Sequence, residues 1–100
     1  MRQITKESVN AFLNRQPFDK SNTSVSNLNG KYYLSLFDNI IAVLHSDNTL
    51  MITNAGWKSN TTKERLNALP NVNICQKNFV WYLNGMEWSG DWVEINNLNK

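Results

Sequence analysis

One cysteine and one histidine are all that the 100 residues contain of the two most versatile catalytic side chains. A single thiol, Cys75, excludes an internal disulfide and any cysteine-based zinc site. Its place in the alternating run Val72–Cys75 predicts a buried thiol, and a reducing compartment suits it. His45 follows an apolar run and precedes a turn, so it reads as a structural or surface histidine at a strand end. No nucleophile, acid or base can be set beside it from spacing. A Cys75–His45 pair is the one pairing that composition permits, and no spacing supports it. The acids Asp38, Asp47, Glu64, Glu87, Asp91 and Glu94 are scattered through turns and strand ends, with no metal-motif spacing. The expectation is a protein without catalysis, metal or cofactor.

Proline and glycine are also scarce, at two and four residues, so there is no linker or low-complexity block. A chain of this length is one small domain, residues 1–100. Excess charge is lacking too: ten basic against eight acidic residues leave a formal +2. That permits nucleic acid as a partner without arguing for it. No apolar run nears the roughly 18 residues of a membrane span. Met1–Thr5 lacks the apolar stretch of a signal peptide, so a cytosolic protein is expected.

What is plentiful is hydrophobic and aromatic surface, 41% and 11% of residues, with four Trp. Such a chain folds around a real core. Asparagine is abundant, and much of it stands at turns, where it tolerates left-handed backbone. Ile4–Val9 opens a first helix, with Thr5 as cap and Ile4 stapled to Val9. Val9, Phe12 and Leu13 form its apolar face, and Pro17 ends it. Phe18–Asn22 reads as a connector anchored by Phe18. Thr23–Leu28 is a weak strand at an edge, and Asn29-Gly30 gives a hairpin turn. Lys31–Phe37 returns with Tyr32, Leu34 and Leu36 on one face. Asp38-Asn39 turns into the apolar strand Ile40–Leu44, and Ser46–Asn48 turns into Thr49–Thr53.

Asn54–Pro70 is the densest stretch. Gly56 permits a tight turn. Thr61 and Glu64 match a capping box, Leu66 and Leu69 point inward, and Pro70 blocks continuation. Val72–Cys75 then alternates and Gln76–Asn78 turns. Phe79–Leu83 is a β-prone strand, and Asn84-Gly85 a second hairpin signal. Met86–Trp88 and Trp92–Ile95 are short strands, and 96–100 reads as a frayed tail. The fold class is α+β: an antiparallel sheet of five to seven short strands, with two short helices packed on one face.

The segments Ile52–Trp57, Thr61–Leu69, Gln76-Lys77, Trp81–Gly85 and Trp88–Trp92 together resemble a group of small proteins of tailed bacteriophages. The resemblance covers most of the chain and is clearest from Ile52 onward. It implies a setting rather than an activity: a phage or prophage product in the bacterial cytoplasm. Proteins of that kind often bind a host enzyme or defence system directly.

Three binding readings remain. Ser59, Asn60, Thr61 and Thr62 stand at a helix start near Lys58, Lys63 and Arg65, where an anion fits; plain capping by Glu64 explains the same residues. Trp57-Lys58, Lys31-Tyr32 and Lys77 near Trp81 could stack bases and meet phosphate, with Tyr32, Trp81 and Trp88 on one sheet face. Against this, at least two of the four Trp are expected in the core. Finally, Met51, Trp57, Met86, Trp88 and Trp92 could form a protein-binding patch on a face that two short helices leave bare. A second copy would cover that face most simply. The leading expectation is a non-catalytic protein that binds a host protein, with nucleic-acid binding as the alternative. The candidate site is Trp57, Lys58, Lys63, Arg65, Lys77 and Trp88.

Overall fold

The computed structural model describes residues 2–95. The expected tail at 96–100 lies outside them. In chain order the elements are α1 (Gln3–Leu13), β1 (Phe18–Lys20), β2 (Thr23–Leu28), β3 (Lys31–Leu36), β4 (Asn39–Leu44), β5 (Leu50–Ile52), α2 (Asn60–Asn67), β6 (Ile74–Lys77), β7 (Val80–Leu83), β8 (Met86–Glu87) and β9 (Val93–Ile95). They build a six-stranded sheet, β1-β2-β3-β4-β5-β9, and a three-stranded sheet, β6-β7-β8. Every pairing is antiparallel, so the α+β class holds.

The large sheet has six strands, within the expected five to seven, but two features of it differ from expectation. Phe18–Lys20, read as a connector, pairs with β2, so β2 is an interior strand and not an edge. The last strand also leaves its neighbours in sequence and pairs with β5, Ile95 opposite Leu50. That pairing carries the chain back to the large sheet after the small one is complete. β4 is central, as its apolar run requires.

One core joins the layers. Val9 and Phe12 of α1 and Leu66 of α2 meet Leu34, Leu36, Ile41, Leu50 and Ile52 of the large sheet, and Trp81 enters from the small sheet. α1 packs on β1–β3, α2 on β4 and β6, and the helices touch each other. Of the four Trp only Trp81 is fully buried; Trp88 is half-buried and packs against the core.

The turns explain where sequence and structure part. Asn29-Gly30 (φ 56° and 81°) and Asn84-Gly85 (φ 51° and 89°) are left-handed pairs, as expected. Two other turns sit one residue away from the Asn-rich positions that suggested them. β3 turns into β4 at Phe37-Asp38 (φ 52° and 65°), not at Asp38-Asn39. β6 turns into β7 at Asn78-Phe79 (φ 52° and 68°), while Gln76 and Lys77 stay in the strand. Both shifts place a phenylalanine in left-handed backbone.

Both helix starts also differ from expectation. Thr5 lies inside α1 and is fully buried; the cap position is Arg2, which makes no side-chain cap bond. α1 ends ahead of Pro17. Arg15 is left-handed (φ 55°), its N–H donates to Phe12 O (3.2 Å), and the Gln16 N–H donates to Ala11 O (2.8 Å). That is the Schellman closure of a helix. α2 is capped by Ser59, whose Oγ accepts the Thr62 N–H at 3.1 Å, rather than by Thr61 and Glu64. Cys75 is exposed, contrary to expectation, because β6 is an edge strand and Ile74 alone on it is buried.

Candidate functional site

The stretch between β5 and α2 is held from both ends. The Asn54 N–H donates to Gly90 O (3.0 Å), and the Thr53 hydroxyl donates to the same oxygen (2.5 Å). Asn54 Oδ1 accepts the Gly56 N–H (2.8 Å), and the Trp57 N–H closes the turn on Asn54 O (2.8 Å). Ala55 and Gly56 supply the left-handed backbone this turn needs (φ 55° and 82°). Trp57 thus leaves an anchored turn, and only Lys58 separates it from Ser59, the cap of α2.

Beside that start lies a pocket of about 480 Å³. Leu36 and Ile41, both buried, are in its wall. Phe37 and Trp57 line it while remaining 64% and 56% exposed. Ser59, Thr61 and Thr62 give it one polar side. An apolar pocket with a few convergent hydroxyls and two exposed aromatic rings is the arrangement that takes an apolar side chain of a partner. A larger open cleft, about 800 Å³, runs past β8 and β9. Its walls include Asn71, Asn73, Asn84, Glu87 and Glu94, so it is a water-facing furrow rather than an apolar site.

The six residues expected to form one surface are not brought together. Trp57 lines the pocket, and Lys58 follows it on the surface. Lys63 faces the small sheet: its Nζ donates to Gln76 Oε1 (3.0 Å) and lies 5.8 Å from the centre of the Trp81 ring. Trp88 packs on the other Trp, 6.2 Å between ring centres, and donates its indole N–H to Asp91 O (3.0 Å). It lines the open cleft, not the pocket. Lys77 is exposed on β6. The sheet face of Tyr32, Trp81 and Trp88 that would suit single strands does not exist, because Trp81 is buried and Tyr32 belongs to the other sheet.

Arg65 departs furthest from expectation, since it is completely buried. Its guanidinium donates to Thr5 Oγ1, to Thr23 Oγ1 (3.2 Å) and to Glu64 Oε1 (2.9 Å). Burial pulls its pKa down first, nearby Arg2 adds to that, and Glu64 opposes both. Glu64 is the hub. The Arg2 backbone N–H donates to Oε2 (3.0 Å), and the Arg2 side chain and the Thr5 hydroxyl donate to Oε1 (2.9 Å each). The Arg2 N–H first, then its side chain and Thr5, hold the carboxyl pKa down at about 2. The charges of Glu64 and Arg65 therefore clamp α1 to α2 and to β2. They are structural.

Phe37 and Phe79 are the surface residues that sequence reading left out. Phe79 is 88% exposed at the β6–β7 tip. The signal available was an apolar residue next to Asp or Asn between two strand-like runs. Among the described residues, no group of three or more His, Cys, Asp or Glu is placed to hold a metal ion. No helix there is long and apolar enough to cross a membrane.

Compared with known proteins, the chain matches one family model, described as Kyanoviridae Gp96 protein, over residues 1–99. No curated protein and no solved structure matches it.

Proposed function

The chain belongs to the Kyanoviridae Gp96 protein family, a family of bacteriophage proteins, and we propose that it is a non-catalytic accessory protein that binds and modulates a host protein. The observation that supports this reading is the pocket at the start of α2. Phe37 and Trp57 stay exposed around an apolar cavity, Trp57 on an anchored turn. Exposed aromatic anchors next to a desolvated pocket are where binding energy concentrates in protein interfaces. Such a protein acts in the cytoplasm of the bacterial host, on an enzyme or a defence component.

Nucleic-acid binding over Trp57–Arg65 draws less support. Arg65 is interior, and Lys63 is engaged by Gln76 and Trp81, so Lys58 and Lys77 are the exposed remainder of that basic set. Two lysines make a weak electrostatic footprint for a polyanion.

Affinity capture from host extract tests the reading. The wild-type protein and a folded Phe37→Asn/Trp57→Ser double variant are compared. A host protein retained by the wild type and lost from the variant is the expected result. Equal retention by both, or recovery of nucleic acid alone, overturns it.

A further inference from the structure

Two hairpin tips carry phenylalanine where the backbone is left-handed, Phe37 at φ 52° and Phe79 at φ 68°. A residue with a side chain is strained there, and bulky residues are genuine outliers in that region. Neither ring returns that cost by burial, being 64% and 88% exposed. An exposed aromatic ring at each tip is open to contact with something outside the monomer.

The register of β6 on α2 carries the two tips toward one end of the molecule. β6 runs beside α2 in the opposite direction. The Asn67 side chain pairs with the Ile74 N–H (2.6 Å) and C=O (3.0 Å), and Lys63 reaches Gln76 (3.0 Å). A strand advances about 3.3 Å per residue and a helix about 1.5 Å, so four residues of α2 match two of β6. Continued, that register brings Asn78-Phe79 level with Ser59 and slightly past it, where the pocket opens. The same end thus presents a projecting ring, Phe79, and an apolar socket walled by Leu36, Phe37, Ile41 and Trp57. Exposed Lys77 precedes the ring's turn; beside the socket, exposed Asp38 follows Phe37 and exposed Lys58 follows Trp57.

We propose that two copies of this chain associate through a two-fold contact in which each Phe79 enters the other copy's pocket, with Lys77 facing Asp38. Reciprocity closes the assembly at two. A phenyl ring fits easily within about 480 Å³. The exposed parts of Phe37, Trp57 and Phe79 amount to roughly 400–450 Å² per copy. Doubled, that is about 800–900 Å², below the range of stable interfaces and in that of weak, transient contacts, so the dimer forms only at high protein concentration. The inference rests on reading the pocket as a docking surface. The dimer covers that surface until another protein displaces the second copy.

Sedimentation velocity from about 5 to about 500 μM tests it. The wild type is expected to pass from monomer to dimer across that range. Phe79→Asn, which suits the turn, is expected to stay monomeric and to melt higher. Lys77→Glu and Asp38→Asn should each weaken the dimer several-fold. A wild type monomeric throughout, or a dimer that Phe79→Asn leaves intact, overturns the proposal. Capture of a host protein by a monomeric wild type, lost in the Phe37/Trp57 variant, refutes the second copy and leaves the docking pocket standing. A Phe79-dependent dimer with no captured protein refutes the host-protein reading alone.

Discussion

At Gly90 a missing side chain decides a local fold. A Cβ there falls on the Asn54 side-chain amide, and the backbone is left-handed at φ 98°. Gly90→Ala therefore must displace the residue that forms the Trp57 turn. A loss of about 2–3 kcal/mol is expected from strain plus overpacking, read as a lower denaturant midpoint with unchanged slope. Phe79 is the opposite case, a side chain present where the backbone would prefer none. Phe79→Gly should stabilise the monomer by about 1 kcal/mol, raising Tm by about 4–8 °C in a chain of this size. Differential scanning calorimetry on dilute protein checks it; a lower Tm would mean that the ring supports the fold. Arg65 completes this scale. Arg65→Ala strips Glu64 of a partner and leaves a hole in the core, so a cost of about 3–5 kcal/mol is expected in urea unfolding. The helical period was legible here. Thr62, Leu66 and Leu69 mark the inward face, and Arg65 lies within the same arc. Charge alone suggested the surface, and charge is a poor guide where threonines from two other elements wait to accept it.

Between elements, the contact of α1 with α2 is the one that acid should loosen. Glu64 holds Arg2 and Thr5 from across the chain and has a pKa of about 2 against an ordinary value of 4.5. A depressed folded-state pKa gives stability that is fully present above the unfolded value and is lost as pH falls through the folded one. The wild type should exceed Glu64→Gln by about 2 kcal/mol near neutral pH, with the partial exposure of the carboxylate already discounted. That gap should close between about pH 4.5 and about pH 2, as followed by urea melts along the series. A gap that stays constant with pH would show that the carboxylate charge is not the cause. The capping box at Thr61 and Glu64 was a fair reading of four residues in a row. It failed because Glu64 found partners some sixty residues away, and Ser59 took the cap. Asn-Gly turns were readable because their conformational preference is local. The turns at Phe37 and Phe79 were not, since the strand pairing on either side imposes on Phe a conformation its own preference resists.

Taken whole, the molecule is a six-stranded sheet and a three-stranded one sharing a core, with α2 as the piece that joins them. Local pattern gave most strands and both helices. It could not show that β9 returns to β5, because antiparallel register between distant segments is set by packing and not by neighbours in sequence. The candidate surface was half legible for the same reason. Trp57 and Lys58 stand where expected, at the mouth of α2, yet the rest of the basic cluster is spent on holding α2 to α1 and to the small sheet. What replaces it is aromatic: Phe37 beside Trp57 in the pocket, and exposed Phe79 at the β6–β7 tip. On the function proposed above, the start of α2 is the docking surface, and its partner is a protein.

Site-specific photo-crosslinking tests that claim most directly. A photoreactive amino acid replaces Trp57 in one version of the protein and the exposed Ser26 of β2 in another, and both are produced in host cells and irradiated. The account predicts a discrete host-protein adduct from position 57, lost when Phe37→Asn is added, and none from position 26. Equal adduct patterns from the two positions, or adducts to nucleic acid alone from position 57, would contradict it.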